Sequence, residues 1–331
     1  MKQTKRGSEL LSNSVSNQSP KPEPGLNSAT AQPKMGPELL FSINAQCILA
    51  ECALWNEQDQ SIYWVDIIGA KIQRCNAKSH AVETFAMPYR IGCFSFTPIQ
   101  NEIIAAFDIG IARYNLVTEE LEWLAQPEIH LKTNRFNDGR TDRQGRFWAG
   151  TMNEAYNSED NDSVLGKVYC FGLDKQCKAK IPKVAISNGL CWSADGKTVY
   201  HADSPKRTIN AYDFDTKTAE LSNRRVFAQT QGHRFPDGSI VDAHDCLWNA
   251  QWGASQVIRY NVDGSVDLAL DLPVSQPSSV AIGGPNMDWL IVTTARHSLA
   301  SERLAAEPQA GNIFVYQLHG VTGIAEPLCL V

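Results

Sequence analysis

Short runs of bulky apolar residues recur along the chain, with polar turns rich in Asp, Gly and Asn between them. Six can be aligned: IYWVDI, IIAAF, RFWAGT, TVYHAD, CLWNAQW and WLIVTTA, anchored on Trp64, Ile104, Trp148, Tyr200, Trp248 and Leu290. The steps between anchors are 40, 44, 52, 48 and 42 residues. A second run follows each anchor: KIQRCNA, IARYNL, GKVYCFGL, TINAYDFD, QVIRYNV and GNIFVYQL. Most of these alternate polar and apolar residues, the period of a half-buried strand. A third run is visible in VETFAM, LEWLA and RRVFA. Long amphipathic helical patterns are absent. A unit of about 45 residues holding three or four short strands is the sequence form of a β-propeller blade, so the expected fold is all-β, a six-bladed β-propeller. A closed ring must join its ends. The strand-like ELLFSI, Glu38 to Ile43, is expected to give the last blade its outer strand and so to cover an exposed sheet edge.

The inner strand of each blade lines the central channel, so equivalent positions in the six blades form a ring. Eleven to thirteen residues before the anchors stand Glu51, Gly92, Asn137, Asn188, Asp237 and Ser279. Four of the six carry carboxylate or amide oxygens. Taken singly, NDG, NGL and PDG are ordinary turn sequences. Glu51, in ILAECALW, has no glycine and no turn role, and the polar residue keeps its place while its neighbours vary. Two carboxylates facing each other near the axis repel, and a divalent cation relieves that repulsion. Two carboxylates with amide oxygens make a hard donor set suited to Ca2+, Mg2+ or Mn2+.

Composition narrows the classes. The 331 residues are 43% hydrophobic and 20% charged, with a formal net charge of -6 and no clustering of basic residues, so no nucleic-acid partner is expected. No apolar run reaches membrane-spanning length. Residues 1–35, rich in Ser, Asn, Gln, Pro and Lys and lacking the apolar core of a signal peptide, are expected to form a disordered tail ahead of a propeller domain over 36–331. The nine cysteines include no C-x-x-C pair and read as free thiols in a reducing, cytoplasmic setting. GxSxG, Walker and dinucleotide-binding motifs are all absent.

TNRFNDGR (Thr133 to Arg140), ISNGLCWS (Ile186 to Ser193) and FPDGSIVDA (Phe235 to Ala243), in this order and preceded by AECALWN (Ala50 to Asn56), resemble the motifs of the senescence marker protein/gluconolactonase (regucalcin-like) family. FWAGTM and TTAR also match in place, and LWNAQWGASQVIRY brings the chain nearest to the bacterial sugar-lactone hydrolases. The resemblance runs from about Pro37 to the C-terminus. It implies one divalent metal ion in the channel, Ca2+ first and otherwise Zn2+, Mn2+, Mg2+ or Fe2+, ligated by Glu51, Asn188 and Asp237. It implies Asp237 as general base, Arg135 on substrate oxygens, and Asn137 beside the metal through water or substrate. Two departures stand out: Ala50 replaces the usual glycine before the glutamate, and GTMNEA places Glu154 one position earlier than the acidic residue that touches sugar hydroxyls in regucalcin-like members.

These features lead to an expected activity: metal-dependent opening of a sugar-acid lactone (arabinono-, xylono-, galactono- or gluconolactone) to its aldonic acid, the metal polarising the carbonyl and activating water. The alternatives are a lactonase or phosphotriesterase with a more apolar substrate, and a non-catalytic calcium-binding propeller scaffold. Asn249, Gln251 and Trp252 are further candidates for reading sugar hydroxyls, with interblade packing as the other role for Trp252. Asn153, Glu154 and Tyr156 are candidates for the pocket mouth.

Overall fold

The computed structural model describes residues 36–331. The tail expected over residues 1–35 lies outside them. The described chain opens with β1 (Glu38–Ile43) and continues into six four-stranded antiparallel sheets. Blade 1 is β2 (Ala50–Asn56), β3 (Ser61–Asp66), β4 (Lys71–Asn76) and β5 (Val82–Ala86). Blade 2 is β6 (Ile91–Phe96), β7 (Glu102–Phe107), β8 (Gly110–Asn115) and β9 (Leu121–Ala125). Blade 3 is β10 (Asn134–Thr141), β11 (Phe147–Asn153), β12 (Gly166–Phe171) and β13 (Cys177–Val184). Blade 4 is β14 (Ser187–Trp192), β15 (Thr198–Asp203), β16 (Thr208–Phe214) and β17 (Leu221–Gln229). Blade 5 is β18 (Phe235–Val241), β19 (Leu247–Trp252), β20 (Gln256–Tyr260) and β21 (Val266–Asp271). Blade 6 is β22 (Pro277–Gly283), β23 (Trp289–Thr294), β24 (Ile313–Gln317) and the returning β1, in register from Glu38 opposite Gln317 to Ile43 opposite Ile313. The ring is thus closed by the segment expected to close it.

All six anchors fall on the second strand of their blades, in the interface between sheets. Trp64, Trp148 and Trp248 are fully buried, and each indole N–H has a partner, as a buried indole requires. Trp64 donates to Gln73 Oε1 at 3.2 Å. Trp148 donates to Asp142 Oδ2 and Trp248 to Asp242 Oδ2, both at 2.9 Å. Both aspartates are wholly buried and each is paired with an arginine, Arg146 Nε at 2.6 Å and Arg259 Nε at 2.8 Å, which offsets the cost of desolvating the carboxylate. The Asp-rich turns of TDRQGRFW and VDAHDCLW therefore serve as the polar seats of the tryptophans that follow them.

Each inner strand carries one irregularity, and it falls at the same level in all six blades. Three steps along β2 from Glu51 to Leu54 oppose two along β3 from Val65 to Tyr63. The same extra residue lies between Ile91 and Cys93, Phe136 and Gly139, Asn188 and Cys191, Pro236 and Ser239, and Pro277 and Val280. A bulge of this kind takes the backbone out of the ladder and re-aims its side chains. Each of the six ring positions read from the sequence lies within a bulge or at its edge. At that level Gly92 lies so close to blade 3 that a Cβ would stand 2.3 Å from the carbonyl oxygen of Asn137.

Candidate active site

Glu51, Asn137, Asn188 and Asp237 are all buried at the bulges, with Asn137 bonded to Asn188 and Glu51 within reach of the Asp237 charge. Second-strand aspartates position two of them. Asp66 accepts the N–H groups of Ile48 and Leu49, both at 3.0 Å, and so fixes the chain entering β2 just before Glu51. Asp203 accepts from Ala185 and Ile186, each at 3.2 Å, ahead of Asn188.

Donor and acceptor bookkeeping fixes the amides. The Ser204 hydroxyl donates to the Pro236 carbonyl at 2.8 Å and so can only accept from Asn188 Nδ2, also at 2.8 Å. Asn188 Oδ1 is thereby left facing the channel, where Asn137 Nδ2 donates to it at 2.8 Å. That same Nδ2 lies 3.0 Å from the Ser187 carbonyl. Asn137 Oδ1 in turn accepts from Arg135 Nη1 at 2.7 Å. Arg135 also donates to the Phe136 carbonyl at 3.0 Å and, through Nε, to Glu154 Oε1 at 3.1 Å.

The carboxylates are coupled. Burial raises Glu51 well above the ordinary carboxylate range, and the charges of Asp237 and Asp138 add to the rise. Burial likewise raises Asp237 well up, with Asp138 contributing. Arg135 and one backbone N–H at each group, Cys52 for Glu51 and Gly238 for Asp237, oppose these shifts without cancelling them. Asp237 Oδ1 is buried and has no hydrogen-bond partner. A buried carboxylate oxygen with no partner, coupled to a second carboxylate, is chemistry that fits a divalent cation, and Glu51, Asn188 and Asp237 are the residues that would hold one. Among the described residues no group of three or more His, Cys, Asp or Glu is placed to hold a metal ion. The extra carboxylate, Asp138, is engaged elsewhere: it accepts from Leu190 N at 3.0 Å and from the Gly139 and Gly189 N–H groups.

At the mouth, Glu154 is gripped from two sides. Arg90 binds it through two parallel hydrogen bonds of 2.8 and 3.1 Å, with Arg135 on the other flank. The Arg90 contacts come first among the causes that hold Glu154 below the usual carboxylate range. Arg90 Nε also reaches Asp108 at 3.4 Å. Sequence reasoning missed Arg90 and Asp138. Asp138 sat in view inside NDG but read as a turn residue, and nothing local marks Arg90.

Other candidates take structural roles. Asn249 is fully buried and donates to the Asp237 carbonyl at 2.7 Å and to Ser239 Oγ at 2.9 Å, so it props the Asp237 backbone rather than reading hydroxyls. Gln251 donates to Asn249 Oδ1. Trp252 packs against the apolar cluster of blades 1 to 3. Asn153 donates to the Ser163 carbonyl at 2.9 Å and staples the acidic loop shut. A cavity of 290 Å³ lies at the other end of the channel, lined among others by Asn56, Asp59, Tyr63, Arg74 and Glu326, and it includes none of the coupled carboxylates.

A six-bladed propeller with a buried carboxylate–amide site at one end of its channel defines the class of protein. Residues 49–296 match the family model described as SMP-30/Gluconolactonase/LRE-like region, and the chain belongs to that family. It is 32% identical to a 6-deoxy-6-sulfogluconolactonase of Pseudomonas putida, over 89% of this chain and 99% of that protein. It is 35% identical to an L-arabinolactonase of Azospirillum brasilense, over 81% of this chain and 88% of the relative. Among solved structures, a calcium-binding protein, regucalcin, from Agrobacterium tumefaciens superposes with a TM-score of 0.81 at 26% identity, over 89% of this chain and 98% of the other. Among the described residues no helix is long and apolar enough to cross a membrane.

Proposed function

We propose that this chain hydrolyses the lactone of a sugar acid to the open aldonic acid, using a divalent cation, Ca2+ first among the candidates, held by Glu51, Asn188 and Asp237. The observation that carries this reading is the unpartnered Asp237 Oδ1, buried beside a second carboxylate whose ionisation it opposes. When bound, such a cation polarises the ester carbonyl and promotes ionisation of a water.

The remaining work falls to the protein's own groups. Arg135, held by Glu154 and the Phe136 carbonyl, presents its fork of N–H donors to the oxygens of the substrate. Asn137 ties that guanidinium to Asn188, so substrate binding and the cation site share one rigid chain of hydrogen bonds. Asp237 takes a proton from the attacking water, a role worth roughly 10²–10⁴-fold. The new C–O bond forms at the carbonyl carbon, the ring C–O bond breaks, and the proton taken by Asp237 passes to the ring oxygen, which leaves as the hydroxyl of the acid. Asn249 keeps the Asp237 backbone in place throughout.

The polar mouth of Arg90, Glu154 and Arg135 favours a hydroxylated substrate over the apolar lactone or phosphotriester of the alternative reading. The names of the sulfogluconolactonase and arabinolactonase relatives agree with this choice. The nine cysteines include no C-x-x-C pair and eight of them are buried, which supports a cytoplasmic setting. The test is acid release from arabinono-, xylono-, galactono- and gluconolactones, with chelator and then with single metals restored. Turnover lost in chelator and recovered with one ion supports the reading. A folded, cation-loaded sample that opens none of these lactones leaves the scaffold reading in its place.

A further inference from the structure

The segment from Leu318 to the C-terminus has no regular secondary structure, yet it is tied down along its length. Leu318 N donates to Asp288 O and Gly323 N to Met287 O, both at 2.7 Å, on blade 6. Thr322 O accepts from Ala243 N, after the inner strand of blade 5, at 2.9 Å. Cys329 N donates to Phe96 O of blade 2 at 2.7 Å, and Leu330 N to Gly145 O of blade 3 at 2.9 Å. The segment is therefore a strap across the base of the propeller, at the ends of the inner strands opposite Glu51.

Where the strap passes the axis, Glu326 pairs with Arg140. Arg140 is almost wholly buried and lies on β10, three residues beyond Asn137. Its Nη2 reaches the Ser239 carbonyl of blade 5 at 3.3 Å and the Val280 carbonyl of blade 6 at 3.4 Å. Its charge is felt by the thiols of Cys52 in blade 1, Cys93 in blade 2 and Cys191 in blade 4. One guanidinium rooted in blade 3 thus senses the other five inner strands, which places it on the channel axis. Its charge also reaches Asp138, next to Asn137 in the ring. Glu326 is the acidic partner that compensates it.

We propose that Arg140 and Glu326 form a neutral plug that closes the base of the channel, with the C-terminal strap as the element that holds it shut. Closure rests on that pairing and on the reach of Arg140 to blades 5 and 6, not on the cation reading above.

Closure is tested on the full chain by labelling Cys52, Cys93 and Cys191 with a small thiol reagent and mapping the peptides, in wild type, Glu326→Gln and Glu326→Ala, with thermal unfolding recorded for each. Protection in wild type and several-fold faster labelling in either folded variant supports the plug, whereas equal rates in wild type and both folded variants overturn it.

Discussion

Asn137 Nδ2 donates to Asn188 Oδ1 at 2.8 Å across the boundary between blades 3 and 4, so an amide from one blade orients an amide from the next. Because Asn137 Oδ1 is committed to Arg135, this contact joins the group proposed to face substrate to a group proposed to face the cation. Arg135→Lys keeps the charge but loses the planar fork. It is expected to lower kcat/KM for the best lactone by about 10–100-fold. Steady-state kinetics, with a thermal melt to confirm an intact fold, check this.

Asp237→Ala removes the proposed general base and cation ligand, so turnover should fall by at least roughly 10²-fold. The same change removes a buried carboxylate, one oxygen of which has no partner, from beside Glu51. The cation-free variant should therefore melt at a higher temperature than the cation-free wild type near neutral pH. Loss of activity with a raised melting point separates a functional carboxylate from a structural one.

Stability of the cation-free protein should fall as pH rises. Glu51 and Asp237 titrate higher in the folded chain than in the unfolded one, so the folded state holds protons that the unfolded state has already released. The sign is a penalty absent below the unfolded carboxylate range, which begins near pH 4, and growing as pH climbs through the raised folded values. A bound cation reverses the penalty. The rise in melting temperature on adding calcium should thus be larger at pH 8 than at pH 5, and differential scanning fluorimetry across that interval reads it.

His201 predicts a loss at the acid end. It is buried, hydrogen-bonded to Ser187 Oγ at 3.1 Å, and pushed by burial from 6.5 down to about 4. A depressed folded value means stability present above pH 6.5 and lost as pH falls toward 4. The full effect is about 3 kcal/mol. His201→Gln should flatten that part of the stability–pH curve, measured by urea unfolding at stepped pH.

Gly92→Ala tests the close approach of blades 2 and 3. The added methyl would collide with the Asn137 carbonyl, and backbone cannot step aside as a flexible side chain can. A loss of about 1–3 kcal/mol is expected, together with weaker calcium binding, because the strand carrying Asn137 is displaced.

The repeat was legible because blade packing demands the same bulky residue at the same place. Trp64, Trp148, Tyr200 and Trp248 mark the second strands, and counting back from them reached Glu51, Asn137, Asn188 and Asp237. Periodicity located the ring, but it did not say which polar members are spent on scaffolding. Asn249 looked like a substrate reader until its amide proved to be donated to the Asp237 carbonyl, a contact set by the path of the backbone through the bulge. Asp138 was hidden for the opposite reason. Its sequence context is that of a turn, whereas in the folded chain it is a half-buried carboxylate, two of whose N–H partners, Gly189 and Leu190, lie in the neighbouring blade. Arg90 carries no local signal at all, because its partner Glu154 comes from the next blade.

Ring closure by β1 has a consequence for biogenesis. Its pairing partner β24 is made last but for the strap, so a ribosome must release almost the entire polypeptide before Glu38–Ile43 can find its place. Until then both strands are open edges able to recruit another nascent chain. A premature stop before Ile313 would therefore do more than remove a strand. It would leave the first segment of the ring without a mate and turn a closed ring into a substrate for quality control.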